Sequence, residues 1–242
     1  MNRRNYRNNI DFIEAGFRAC WVGAQDMLKA AKVLLDSSYH APAMSLSVLT
    51  LEELGKLFCL DGLLFARSDD HKAEAFAKSL KSHDTKLLAV ELFPLLLANI
   101  ASADPRYQSE KRFRQAIAVG IKDLRERGKT VRLLLGSDNF LGLNDWKQSG
   151  FYSQPKGNTF VTPSAAVSHE VAQAVYMLAW RASTGLDFLL KDGNLERYMS
   201  FARVLRSKLS EADHEALSEM GKSICDALFP SEERENQDVS VH

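Results

Sequence analysis

Long uncharged apolar runs, a signal-type apolar core near the first residues and an excess of either charge are all missing from this chain, and each absence counts against a class of function. Lysine plus arginine and aspartate plus glutamate number 31 each, so no global field draws the protein to nucleic acid or to an acidic membrane surface. The most apolar stretch, Ala41 to Leu64, carries Glu52, Glu53, Lys56 and Asp61, which makes an unaided membrane span costly. The polar start, Met1 to Asn9, leads into an amphipathic pattern with no signal-type apolar core. A cytoplasmic protein without a membrane partner is the expectation. Cysteine is scarce, and Cys20, Cys59 and Cys225 lack CxxC spacing, so they read as free thiols. No phosphate loop, GxSxG elbow, HExxH or dinucleotide fingerprint occurs, nor does the paired ExxH of di-iron bundles. No cofactor and no metal is expected.

What the chain does have is helical periodicity. Phe12, Ile13, Phe17, Trp21, Met27, Leu28, Ala31 and Leu35 recur at three and four residue intervals, which predicts one amphipathic helix over 10–35. After Asp36-Ser37-Ser38, Pro42 suits the first turn of a second helix running to about Ala66. Further helices are predicted at 72–80, at 83–100 with a kink or restart at Pro94, and at 106–135 as a charged surface helix opened by Asp104-Pro105. Glycine, asparagine, proline and aromatic residues dominate 137–162, which reads as a long ordered loop with a short hairpin at Phe151 to Val161. Helices return at 164–190, 195–209 and 211–228. The fold class is all-α, a single helical domain over 1–228 with its core in 10–191 and appended helices in 195–228. An acidic, disordered tail is expected over 229–242.

Three groups of residues could carry chemistry. Glu52 and Lys56 stand four apart, with Glu53 about 100° round the helix from Glu52. Apolar residues cover most of that helix, so the carboxylates should be partly buried, and a buried carboxylate must be paired, hydrogen-bonded or neutralised. That describes an internal ion-pair network as well as an active site. Gly55 in the same run suits the close approach of another helix or a ligand. The second group is Lys81-Ser82-His83-Asp84-Thr85-Lys86 with Lys78 upstream. A histidine among lysines is an acid or base beside a phosphate-binding cation, or an ordinary charged helix start. The third is a basic stretch that includes Arg112 and Arg114, able to follow a phosphate backbone or to face water. His40, His71, His169 and His214 have no partner at ligand spacing and read as surface or capping residues.

The run Ala24 to Leu57, with its Glu52-Glu53-Leu54-Gly55-Lys56 element, resembles the amino-terminal signature of AbiV-like abortive-infection proteins. His83-Asp84-Thr85-Lys86 resembles that family's H-x-x-K element, and Gly150-Phe151-Tyr152 its glycine-aromatic-tyrosine turn. The resemblance covers roughly Phe12 to Ala182. It implies a HEPN-like antiparallel helical bundle and a bacterial antiphage role exerted on RNA or translation, usually from a homodimer, with RNA or a phage-encoded protein as partner. With it goes a metal-independent ribonuclease site at His83, Lys86, Glu52, Glu53 and Lys56, and the basic residues read above, Lys78, Lys81, Arg112 and Arg114, are the candidates for binding RNA. One departure stands out: HEPN ribonucleases carry arginine, four to six residues, then histidine, and no histidine here has that arginine. Lys78 with His83 and Lys208 with His214 have the spacing, but lysine lacks the planar bidentate fork. The alternative is a non-catalytic helical defence module, in which these residues form a structural network and the surface binds a phage or host protein.

Overall fold

The apolar stripe of the first helix, α1 (Ile10–Asp36), buries Ile13, Phe17, Ala24, Leu28 and Ala31 on one face, the pattern of a helix covering a core from outside. The computed structural model describes residues 10–65, 80–136, 140–190 and 193–208. A short turn, with Ser38 at φ 63°, reverses the chain into α2 (His40–Phe65). Apolar residues surround α2, and a helix of that kind belongs inside. It packs against α1 and against six helices from later in the chain. Its small polar residues are satisfied without water: Ser47 and Thr50 donate to the carbonyls of Ala43 and Leu46 at 2.8 and 2.9 Å.

Ser82 caps α3 (His83–Glu91), its side chain accepting from the Thr85 N–H. The chain bends by 61° at Leu92 into α4 (Phe93–Ser102), which has Pro94 in its first turn, where a missing N–H is harmless. Asp104 caps the short α5 (Pro105–Ser109). The single helix predicted over 106–135 is therefore two, because Glu110 adopts an extended conformation before α6 (Lys111–Leu135) begins. Gly136, at φ 64°, closes α6 in the left-handed region.

The segment 137–162 is not the single long loop its composition predicts. Gly142 to Phe151 is a helix, α7, with Leu143, Lys147 and Gly150 buried on one side. Glycines at both ends argue for a loop on composition, but the spacing of the buried positions is helical. The hairpin does form, with β1 (Gln154–Lys156) antiparallel to β2 (Thr159–Val161) and Pro155 opposite Phe160. The predicted helix at 164–190 divides into α8 (Pro163–Ala166) and α9 (His169–Leu190), and α10 (Asn194–Lys208) follows. Apart from the hairpin the described residues are all-α. The helix predicted at 211–228, the acidic tail, Cys225, Lys78 and nearly all of the helix at 72–80 lie outside the described residues.

One apolar core joins α1, α2, α3, α4, α6, α7, α9 and α10. Among the described residues, no single helix is long and apolar enough to cross a membrane. Among the described residues, Cys20 and Cys59 form no disulfide.

Candidate functional site

Glu52 lies midway along α2, where the surrounding helices leave its side chain only 3 % exposed. A carboxylate so placed needs donors, and two close helix approaches supply them. At Gly55, three residues on, a Cβ would overlap the Lys86 carbonyl oxygen and stand 2.8 Å from its carbon. Only glycine lets α3 lie so near α2. At Gly150 of α7, a Cβ would collide with the Ser45 hydroxyl and stand 2.7 Å from the Ala41 carbonyl oxygen. The Ser45 hydroxyl donates to the Lys147 carbonyl at 2.9 Å, which fixes the rotation of α7 on α2.

These contacts deliver three side chains to one carboxylate. Lys147 Nζ donates to Glu52 Oε1 at 2.6 Å, and His83 Nδ1 lies 2.6 Å from Oε2. Lys86 Nζ is 3.3 Å from Oε2. An ionised carboxylate can only accept, so Nδ1 must carry the proton in that bond. Lys147 Nζ, 3.2 Å from the same nitrogen, is therefore a second donor beside it rather than a partner to it. Burial works against ionisation of Glu52, but the hydrogen bonds from Lys147 and His83 and the charges of Lys147 and Lys86 outweigh it, holding the carboxyl below its ordinary range.

One carboxylate faces two ammonium groups, so the cluster carries at least one net positive charge. Lys86 and Lys147 are buried, at 6 and 5 % exposure, while His83 is 52 % exposed. The imidazole is the part of the cluster that meets solvent. With Nδ1 donating to Glu52, the neutral ring has its lone pair on Nε2. This is an oriented acid–base group backed by a buried carboxylate.

Glu53 and Lys56 do not join the cluster. Lys56 donates to Glu53 instead of pairing with Glu52, and Glu53 bonds to Cys20 of α1. The 100° rotation between adjacent helix positions separates the two glutamates. Burial first, then Glu53, pushes the Cys20 thiol up to about 12, so it is no nucleophile at neutral pH. Lys81 is exposed just ahead of α3, and Arg112 is exposed on α6. Arg114 donates to the Tyr107 and Gln108 carbonyls at 2.8 and 2.9 Å, which ties α6 to α5. A groove of about 460 Å³ along α6 is lined by Arg114, Lys122, Arg125 and Lys129 among others, but by no residue of the cluster. Lys147 was not among the sequence-predicted residues. His40 and His169 also find a partner, in each other, with Nε2 and Nδ1 3.2 Å apart. Among the described residues no three histidine, cysteine, aspartate or glutamate side chains form a metal-holding group.

No curated protein and no solved structure matches the chain. The family model HEPN_AbiV, described as AbiV, matches residues 12–182. That span runs from the first turn of α1 into α9 and includes every member of the Glu52 cluster. The chain belongs to the AbiV family of HEPN-type helical proteins.

Proposed function

We propose that the protein serves abortive-infection defence against phage as a metal-independent ribonuclease, with His83 as the group that moves protons. The observation that carries this reading is the half-exposed imidazole held at Nδ1 by buried Glu52, 2.6 Å away. In the proposed step Nε2 takes the proton of an RNA 2′-hydroxyl, and that oxygen bonds to the adjacent phosphorus. The phosphorus–O5′ bond breaks, and the 5′-oxygen leaves with a proton from the imidazolium or from solvent. Lys86 and Lys147 contribute positive potential from behind the ring, which favours the phosphate and the charge that gathers on it. The reading includes a homodimer in the cytoplasm and a phage-encoded or host trigger.

The test is incubation of purified wild type and His83→Ala with cellular RNA in the presence of EDTA, with phage plating of the same pair. Wild type should leave 2′,3′-cyclic phosphate ends, and His83→Ala should be slower by about two to four orders of magnitude. A second reading, the non-catalytic defence module, is favoured by one observation: both lysines direct their ammonium groups at Glu52. Loss of protection in His83→Ala with no RNA cleavage by wild type would select it.

A further inference from the structure

The segment after Lys147 presents three large rings to solvent that the proposed acid–base chemistry does not use. Phe151, Tyr152 and Phe160 are 43, 64 and 74 % exposed. Phe151 ends α7 one turn beyond Lys147, about 6 Å along the helix axis, so the seat that places Lys147 in the cluster also places this ring. Tyr152 caps α7, and its ring meets that of Phe151 at an interplanar angle of 65°. The two rings are edge to face, not stacked on each other. The hairpin starts two residues later and holds Phe160 opposite Pro155.

Charge distinguishes this surface from the rest of the chain. From Trp146 to Ser168 there is no aspartate or glutamate, whereas Lys147 and Lys156 are present. The remaining polar residues are mostly serines, threonines, an asparagine and glutamines. Exposed rings on a segment without carboxylates, carried by the helix that brings Lys147 to a cluster with net positive charge, suit a ligand that combines flat apolar faces with anionic links.

We propose that Phe151, Tyr152 and Phe160 form a stacking surface for unpaired bases, so that the site takes single-stranded and not duplex nucleic acid. This rests on the reading of His83 as the centre that meets the phosphate. Base–aromatic stacking needs a ring face and an unstacked base, and a duplex offers no such base. Lys156 stands in the hairpin one residue from Pro155, within the register that holds Phe160, and supplies a backbone-following charge.

The test uses a labelled, unpaired 2′-O-methyl oligonucleotide, which lacks the attacking hydroxyl, and its blunt duplex, with binding read by fluorescence anisotropy. The expected result is tighter binding of the single strand. Phe151→Ala and Phe160→Ala should each weaken it about tenfold, as loss of a base–aromatic stack does, and Phe160→Trp should restore it. Melting temperatures should not move, because these rings lie outside the core. Unchanged affinity in the alanine variants, or duplex binding as tight as single-strand binding, would overturn the proposal. So would loss of phage protection at unchanged oligonucleotide affinity, which would assign the rings to a protein contact. Failure here would leave His83-dependent cleavage intact, whereas failure of the ribonuclease reading would leave oligonucleotide binding intact.

Discussion

Replacing Glu52 with glutamine preserves the size of the side chain and removes the one negative charge among Glu52, Lys86 and Lys147. Both ammonium groups would then be buried without a counter-ion, at 6 and 5 % exposure. Breaking a buried pair in this way costs about 3–5 kcal/mol, because an uncompensated charge remains. Against a total stability of about 5–15 kcal/mol, and with a melting temperature that moves about 2–4 °C per kcal/mol in a chain of this size, the loss is on the order of 10 °C. The informative comparison is the double variant Glu52→Gln with Lys147→Met. It deletes the ammonium bonded to Oε1 along with the carboxylate, so it should be more stable than the sum of the two single losses by at least about 1 kcal/mol. Denaturant unfolding of the four proteins at pH 7, with denaturant slopes compared, gives the cycle. A cost below about 1 kcal/mol for Glu52→Gln, or strict additivity in the double variant, would refute the view that this carboxylate is the shared counter-ion of two buried cations.

Gly55→Ala should cost about 1–3 kcal/mol, the usual range for overpacking, and should abolish His83-dependent cleavage by pushing α3 off α2; near-wild-type stability would show that the approach is not tight. Lys56→Met should cost under about 1 kcal/mol, because its pair with Glu53 is partly exposed, at 25 and 23 %, and phage plating should be unaffected. Asp61, buried beneath α10 and accepting from the Tyr198 hydroxyl, has its carboxyl raised from 3.8 to about 6 by burial against the opposing hydrogen bonds from Tyr198 and Asn99. Between those two values the folded state binds more protons than the unfolded chain, so stability falls by about 3 kcal/mol as pH rises through the window. Asp61→Asn should lose that slope in melting curves between pH 4 and pH 7. Glu52 acts in the opposite sense: its contribution is present above the ordinary glutamate value and is lost as pH falls below it. The low-pH limb of the stability profile should therefore flatten in Glu52→Gln.

The helices were readable wherever one periodic signal ran unbroken. α1, with its stripe of Ile13, Phe17, Ala24, Leu28 and Ala31, and α2, apolar on every side, needed only pattern and a turn at Ser37-Ser38. Pro94 marked the start of α4 because proline's missing N–H is tolerated in a first turn. α7 was hidden by its own composition. Gly142 and Gly150 count as helix breakers in isolation, and Gly150 is there because Ser45 and Ala41 leave no room for a Cβ. That requirement is tertiary, so it has no local signature. The same limit affects the site residues. Burial of Glu52 followed from the apolar residues around it, and its grouping with His83 and Lys86 from the family resemblance. Which lysine would serve Oε1 did not follow, because Lys147 is separated from Glu52 by 95 residues.

Gly55 and Gly150 do the same thing on two sides of α2. Each removes a side chain so that a later helix can press its backbone against α2, and each helix brings a cation to the same carboxylate, Lys86 from α3 and Lys147 from α7. At both contacts the missing Cβ lets backbone approach backbone, and the lysine carried by the incoming helix ends at Glu52, Lys86 at 3.3 Å and Lys147 at 2.6 Å. His83 differs in being half exposed, so its hydrogen bond to Glu52 contributes least to filling the core. If the network served stability alone, a small apolar residue at position 83 would do nearly as well, since Lys86 and Lys147 already neutralise the carboxylate. His83→Ala is therefore expected to change the melting temperature by no more than a few degrees while removing the proton-transfer group. A large loss of stability in that variant would move His83 back into the structural network.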